Sequence, residues 1–161
     1  MKTIIHDLDN IEIDNNIILN NYNIKNCIGC FNCWTNTPMK CIHKDSYKEV
    51  CKNILNSDTL IIISRNFYGT YSSKVKKILE RNIGFVLPYF VIRNKEIHHK
   101  ARIKQKLDFI TIFYGRINSK EKILLEKLVN KNALNFNLKK PTILYFKNEN
   151  DVRRYLNESI Y

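Results

Sequence analysis

Cys27, Cys30, Cys33 and Cys41 form a C-x2-C-x2-C-x7-C run, and four thiols within fifteen positions are the chain's strongest chemical signal. Cysteines at this spacing can fold round one inorganic centre, as ferredoxin-type clusters require, with the fourth thiolate coming from further along. Tetrahedral zinc is the alternative, with His43 as a spare ligand, although zinc sites usually split into two separated pairs. A third reading is a loop of reduced, partly buried cysteines beside Phe31 and Trp34. Cys51 falls on the inward side of an expected helix and reads as a small core residue. The start of the chain reaches Asp7 too soon for a secretory signal, so the five cysteines are expected to stay reduced. That turns attention from disulfides to metal or redox chemistry.

The elements that position this loop follow from hydrophobic periodicity. Lys2 to Leu8 and Asn16 to Leu19 are short β-branched runs that predict the first two strands. Only about seven residues separate them, whereas a parallel crossover with its helix needs about ten or more. The first helix is therefore expected to be missing or vestigial. Ser46 and Glu49 have capping-box spacing ahead of Val50, Ile54 and Leu55, which predicts a helix of about three turns. Thr59 to Ser64 is a continuous apolar run, the mark of a strand buried on both faces of a parallel sheet. Ser72 or Ser73 can cap a helix through Glu80, with Val75, Ile78 and Leu79 inward and Lys74, Lys76 and Lys77 in water. Leu107 to Tyr114 reads as another buried strand. Ser119 to Val129 reads as a helix with Ile123, Leu124 and Leu128 inward, Thr142 to Phe146 as the last strand, and a closing helix follows from Asn150. Alternating strands and helices predict a parallel sheet in one domain, residues 1–161, with ligands at the carboxyl ends of the strands.

Twenty-seven Lys and Arg against 15 Asp and Glu give a net charge of +12. This suits an anionic partner, but the cations are mostly Lys and accompany many Asn, Ile and Tyr, a residue set that AT-rich coding favours whatever the function. Lys74, Lys76, Lys77 and Arg81 read as a solvated helix face, with no aromatic-interleaved or helix-turn-helix pattern beside them, so nucleic acid ranks last among partners. His98 and His99 lie in a basic stretch that could meet a phosphate or a metal, or form a solvated loop. No run of about 18 apolar residues suggests a membrane span, and a cytoplasmic location is expected.

The stretches Cys27–Trp34, Cys41–Asp45, Ser57–Ser64 and Tyr68–Arg81 resemble the NADPH-dependent FMN reductase and iron-sulfur flavoprotein branch of the flavodoxin-like superfamily, over roughly residues 24 to 92. The resemblance implies a flavodoxin-like three-layer α/β sandwich with a five-stranded parallel sheet in the order 2-1-3-4-5. It implies FMN as cofactor, with Ser64, Arg65, Asn66, Phe67, Tyr68 and Gly69 on one ring-carrying loop and Tyr114, Gly115 and Arg116 on the second. NAD(P)H would be the reductant, a small molecule or protein the electron acceptor, and Cys27, Cys30, Cys33 and Cys41 the ligands of a four-iron four-sulfur cluster. It also implies a homodimer, for which the apolar stretch Asn82–Phe90 would line the interface or the ring pocket.

The phosphate loop departs from that pattern. Relatives place serines, threonines, glycine and arginine after the first strand, where this chain has His6, Asp7, Leu8, Asp9 and Asn10. Two carboxylates would repel a phosphate. The runner-up is therefore a flavodoxin-like protein without flavin, acting as a metal-binding or protein-interaction module.

Overall fold

The computed structural model describes residues 1–9, 16–19, 23–104 and 106–159. In chain order its elements are β1 (Lys2–His6), β2 (Asn16–Leu19), α1 (Val50–Leu55), β3 (Thr59–Arg65), α2 (Ser73–Glu80), a 3-10 turn (Ile83–Phe85), β4 (Val86–Arg93), β5 (Glu96–Ala101), β6 (Asp108–Tyr114), α3 (Ser119–Asn135), β7 (Thr142–Phe146) and α4 (Glu149–Ser159). The apolar runs form a parallel α/β sheet of β1, β3, β6 and β7, with the short β2 paired parallel to the outer side of β1.

Strand side chains alternate between faces, and here the alternation sorts them into two cores. Ile5, Leu60, Ile62, Phe109 and Phe113 pack with Val50 and Ile54 of α1, Val75 and Ile78 of α2, and Leu125 and Val129 of α3. Ile4, Ile61, Ile63 and Ile112 pack with Val152 and Leu156 of α4. Each aliphatic side chain buried this fully contributes about 1.5–3 kcal/mol relative to exposure, which makes β3 the chain's anchor. The order runs from β1 outward to β2, then crosses to β3 on the other side. The switch point at the carboxyl edge therefore falls between His6–Asp7 and Ser64–Arg65.

Caps fix where the helices begin. The Ser72 hydroxyl accepts the Val75 N–H at 3.4 Å to open α2. Asn118 and Glu121 form a reciprocal capping box on α3.

Two sequence expectations are corrected, and a third feature is one that the sequence reading did not foresee. The helix after the cysteine loop begins at Val50, and its N-cap, Glu49, makes no side-chain cap. Residues 46–49 form a turn ahead of it, in which the Asp45 carboxylate accepts the Tyr47 N–H at 3.1 Å, so the expected Ser46–Glu49 box does not open the helix. Second, α3 runs on to Asn135, so its buried stripe is Leu125, Val129 and Ala133 at i, i+4 and i+8, while Ile123 and Leu124 are half exposed. Third, residues 86–101 form an antiparallel hairpin outside the main sheet, turned at Asn94 and Lys95, which both have positive φ (49° and 64°). The expected loss of the first helix falls mostly on residues 10–15, outside the described residues. Among the described residues no helix is long and apolar enough to cross a membrane.

Candidate metal centre

The cysteine loop is wound tightly by its own backbone. Trp34 N–H and Thr35 N–H both reach Phe31 O, Thr37 N–H reaches Asn32 O, Met39 N–H reaches Cys33 O, and Cys41 N–H reaches Lys48 O. Gly29, Phe31 and Met39 have φ of 65°, 57° and 66°. For Phe31 and Met39 this left-handed region carries strain, which persists only where surrounding structure enforces it and collects at functional sites.

The enforcing contacts come from below and beside the loop. Arg102 donates through Nε to Gly84 O at 2.8 Å and through Nη2 to Trp34 O and Val86 O, both at 3.3 Å. Trp34 Nε1 also donates to Val86 O, at 3.0 Å. The 3-10 turn presses against the loop so closely that a Cβ on Gly84 would stand 2.7 Å from Cys33 O. His99 sits edge-on to Trp34, with ring centroids 4.8 Å apart, and stacks on Phe90. Of the histidine pair, His99 thus braces the loop, whereas His98 is buried against the helix behind the hairpin, its Nδ1 3.1 Å from Asn135 Oδ1 and its Nε2 3.2 Å from Glu96 Oε2.

Cys27, Cys30, Cys33 and Cys41 line one cavity of about 70 Å³, together with His43 and Arg81. Organic cofactors need roughly 300–1,000 Å³. This space suits an ion or a small inorganic group. Cys27 and Cys30 are exposed, Cys41 is half-buried and Cys33 is buried. Burial first, then the neighbouring Cys41, Cys27 and Cys30, pushes the Cys33 thiol above its ordinary pKa. Among the described residues no three Cys, His, Asp or Glu side chains converge closely enough to hold an ion. The thiols would therefore have to turn into the cavity they share. His43 Nε2 is already 2.9 Å from Asn26 O.

Arg81 forms one wall of that cavity. It is 1 % exposed, and its Nη1 donates to Asp45 Oδ2 at 2.5 Å and to Lys25 O at 3.3 Å. Nε and Nη2 have no hydrogen-bond partner among the described residues. Burial works against the Asp45 charge, but the Arg81 guanidinium and the N–H groups of Lys25 and Tyr47 hold its carboxyl below the ordinary range. Arg81 is thus no part of a solvated basic face. Four thiols round one small cavity, beside orphaned buried cationic donors, fit a metal–thiolate group in their chemistry.

Of the residues that the resemblance would assign to a flavin ring, Arg65, Asn66, Phe67, Tyr68, Tyr114, Gly115 and Arg116 line two open clefts at the carboxyl edge of the sheet, while Ser64 and Gly69 are buried and line neither. One, about 550 Å³, is lined by Asp7, Asp9, Arg65, Ser72, Lys74, Tyr114 and Gly115. The other, about 540 Å³, is lined by Arg65, Asn66, Phe67, Tyr68, Arg116 and Glu121. Phe67 and Tyr68 project from the edge, 58 % and 81 % exposed. The structure brings the two loops together through Asn66, whose side chain donates to Arg116 O (2.8 Å) and Glu121 Oε2 (3.2 Å) and accepts from Gly69 N–H (3.0 Å).

The donors a flavin would use there are largely spent within the fold. Arg65 N–H goes to Asp7, Asn66 N–H to Tyr114 O, Phe67 N–H to Thr70 O and Gly115 N–H to Phe146 O. The Ser64 hydroxyl donates to Arg65 O at 3.0 Å and accepts from Ser72 N–H at 2.8 Å. Tyr114 is buried, and its hydroxyl donates to Asp7 Oδ1 at 3.0 Å. Burial and then the Asp7 charge push its pKa up. Asp9 stands 3.8 Å from the Lys74 ammonium. These residues do not fit the phosphate end of FMN.

Sequence reasoning missed Asp7, Asp45, Gly84 and Arg102 as organising residues. Asp7 alone carried a signal, as a carboxylate where an anion cradle was expected. Residues 82–90 divide, with Phe85 and Val86 in the core and Tyr89 and Phe90 exposed on the hairpin. Compared with models of known families, with curated proteins and with solved structures, the chain matches none.

Proposed function

We propose that the chain is a flavodoxin-like α/β protein that works without flavin and carries a metal–thiolate centre, an iron–sulfur cluster, on Cys27, Cys30, Cys33 and Cys41. The observation that carries this reading is the single cavity lined by all four cysteines, too small for an organic cofactor. The spacing of two, two and seven favours a cluster over zinc. Such a centre supplies one-electron transfer when bound.

The chain's own residues divide the work. Cys33, buried under the 3-10 turn, fixes the depth of the site, and the exposed Cys27 and Cys30 leave one side open to an electron donor or acceptor. Arg102 and Gly84 lock the loop from below, while Asp45 ties its far end to the body of the fold through Arg81.

The test is reconstitution with iron and sulfide under reducing, oxygen-free conditions, followed by gel filtration. The wild type is expected to keep both and absorb broadly in the visible range, and Cys33→Ser to lose most of that absorbance. A wild type that emerges colourless and metal-free would remove the proposal.

The other reading, an FMN-dependent NAD(P)H oxidoreductase, is favoured by the size and position of the two strand-end clefts. Asp7 counts against it, and FMN titration separates the two.

A further inference from the structure

Arg81 presents a discrepancy that the fold alone does not resolve. A guanidinium has five N–H donors, and burying them unpaired is costly. Here Nη1 serves Asp45 and Lys25 O, while Nε and Nη2 make no hydrogen bond of regular geometry among the described residues, and the Cys41 sulfur is the group beside the guanidinium that favours its charge after Asp45. A lysine would have satisfied the same ion pair with fewer buried donors. The unused donors lie on the side chain that walls the four-cysteine cavity, with Cys41 among its lining groups. Sulfur carrying negative charge is the acceptor a cysteine-bound centre presents, and the Cys41 sulfur already stands beside the guanidinium.

We infer that Arg81 is the positioning residue of this centre, donating from Nε and Nη2 to its sulfur atoms and offsetting its negative charge from within the protein. This rests on the metal–thiolate reading of the cavity. Asp45 has the supporting role: by holding Nη1 at 2.5 Å it sets the plane of the guanidinium, and so the direction of the other donors. Partners that bond to the ligands of a metal typically contribute 10–100-fold in affinity, and hydrogen bonds to cluster sulfurs also set the reduction potential.

The experiment compares wild type with Arg81→Lys, which keeps a cation for Asp45 but removes the forked donors. Both are loaded with iron and sulfide, and three quantities are read: thermal unfolding, the rate at which a chelator strips the iron, and the reduction potential. Arg81→Lys is expected to fold, to load the same amount of iron, to lose it about 10–100-fold faster, and to have a more negative potential. An Arg81→Lys protein that folds and matches the wild type in iron release and potential would overturn the inference while leaving the metal centre intact. If Arg81→Lys fails to fold, Arg81→Gln, which keeps amide donors without the charge, is read in the same way. A wild type that retains no iron would overturn both the inference and the reading beneath it.

Discussion

The carboxylate of Asp7 receives the backbone N–H of Arg65 on both oxygens, at 3.2 and 3.0 Å, across the switch point between β1 and β3. The protein thereby places its own anion where an open α/β sheet usually receives one from a ligand. FMN is expected to bind the wild type more weakly than about 1 mM, less than about 4 kcal/mol of binding energy. Asp7→Ser frees the Arg65 N–H and removes a repelling charge, and should tighten FMN binding at least about tenfold. Fluorescence titration reads both. Micromolar binding by the wild type would restore the flavin reading.

The Asp45–Arg81 pair gives a pH dependence with a definite sign. Asp45's folded pKa lies below its unfolded value, so the pair's contribution is complete above the ordinary carboxylate pKa of about 3.9 and is lost as pH falls below it. Asp45→Asn should be less stable than wild type at pH 7, with the gap closing toward pH 3 in urea melts. Asp45→Ala, which strands Arg81, should lose about 3–5 kcal/mol at neutral pH. A stability gap that stayed constant across that range would show that the carboxylate's charge is immaterial.

At Gly84 the backbone passes close under the cysteine loop. Alanine there would bring a Cβ to 2.7 Å from Cys33 O and 3.3 Å from Cys51 Sγ. Both are buried, so overpacking should cost about 1–3 kcal/mol and displace Cys33. Chemical denaturation reads the loss, and faster alkylation of Cys33 reads the displacement. An unchanged midpoint and an unreactive Cys33 would mean that the turn yields freely.

His6 is 1 % exposed, and neither ring nitrogen has a hydrogen-bond partner among the described residues. Burial lowers its pKa from 6.5. Above about pH 6.5 both folded and unfolded chains hold it neutral. Below that, only the unfolded chain readily takes the proton, and stability should fall by up to about 1.4 kcal/mol per pH unit. His6→Leu should flatten the stability profile between pH 6.5 and 5. A slope that survived this substitution would belong to another group.

The sheet was legible because its strands are written as uninterrupted apolar runs: Thr59–Ser64 reads as a buried strand without further context, and β3 is 0–3 % exposed from Leu60 through Ser64. The cysteine run stood out for the same reason, a dense local pattern, and the structure gathers its four thiols round one cavity. What escaped was built from contacts distant in sequence. Asp45 meets Arg81 across 36 positions, and Asp7 meets Tyr114 across 107, pairings that no local period encodes. The hairpin escaped because its turn, Asn94–Lys95, lacks the glycine that usually marks such a turn, and because Tyr89, Phe90, Ile92 and Ile97 are apolar yet exposed. The α3 stripe was misphased because the expected helix stopped short of Ala133, whose burial shows which face is inward.

The most direct test of the account is the iron, zinc and acid-labile sulfide content of wild-type protein purified without oxygen and passed through gel filtration. A cysteine-held cluster gives about four iron and about four sulfide per chain with little zinc. Protein carrying neither metal nor sulfide, with all five thiols free to titrate under denaturing conditions, would contradict it.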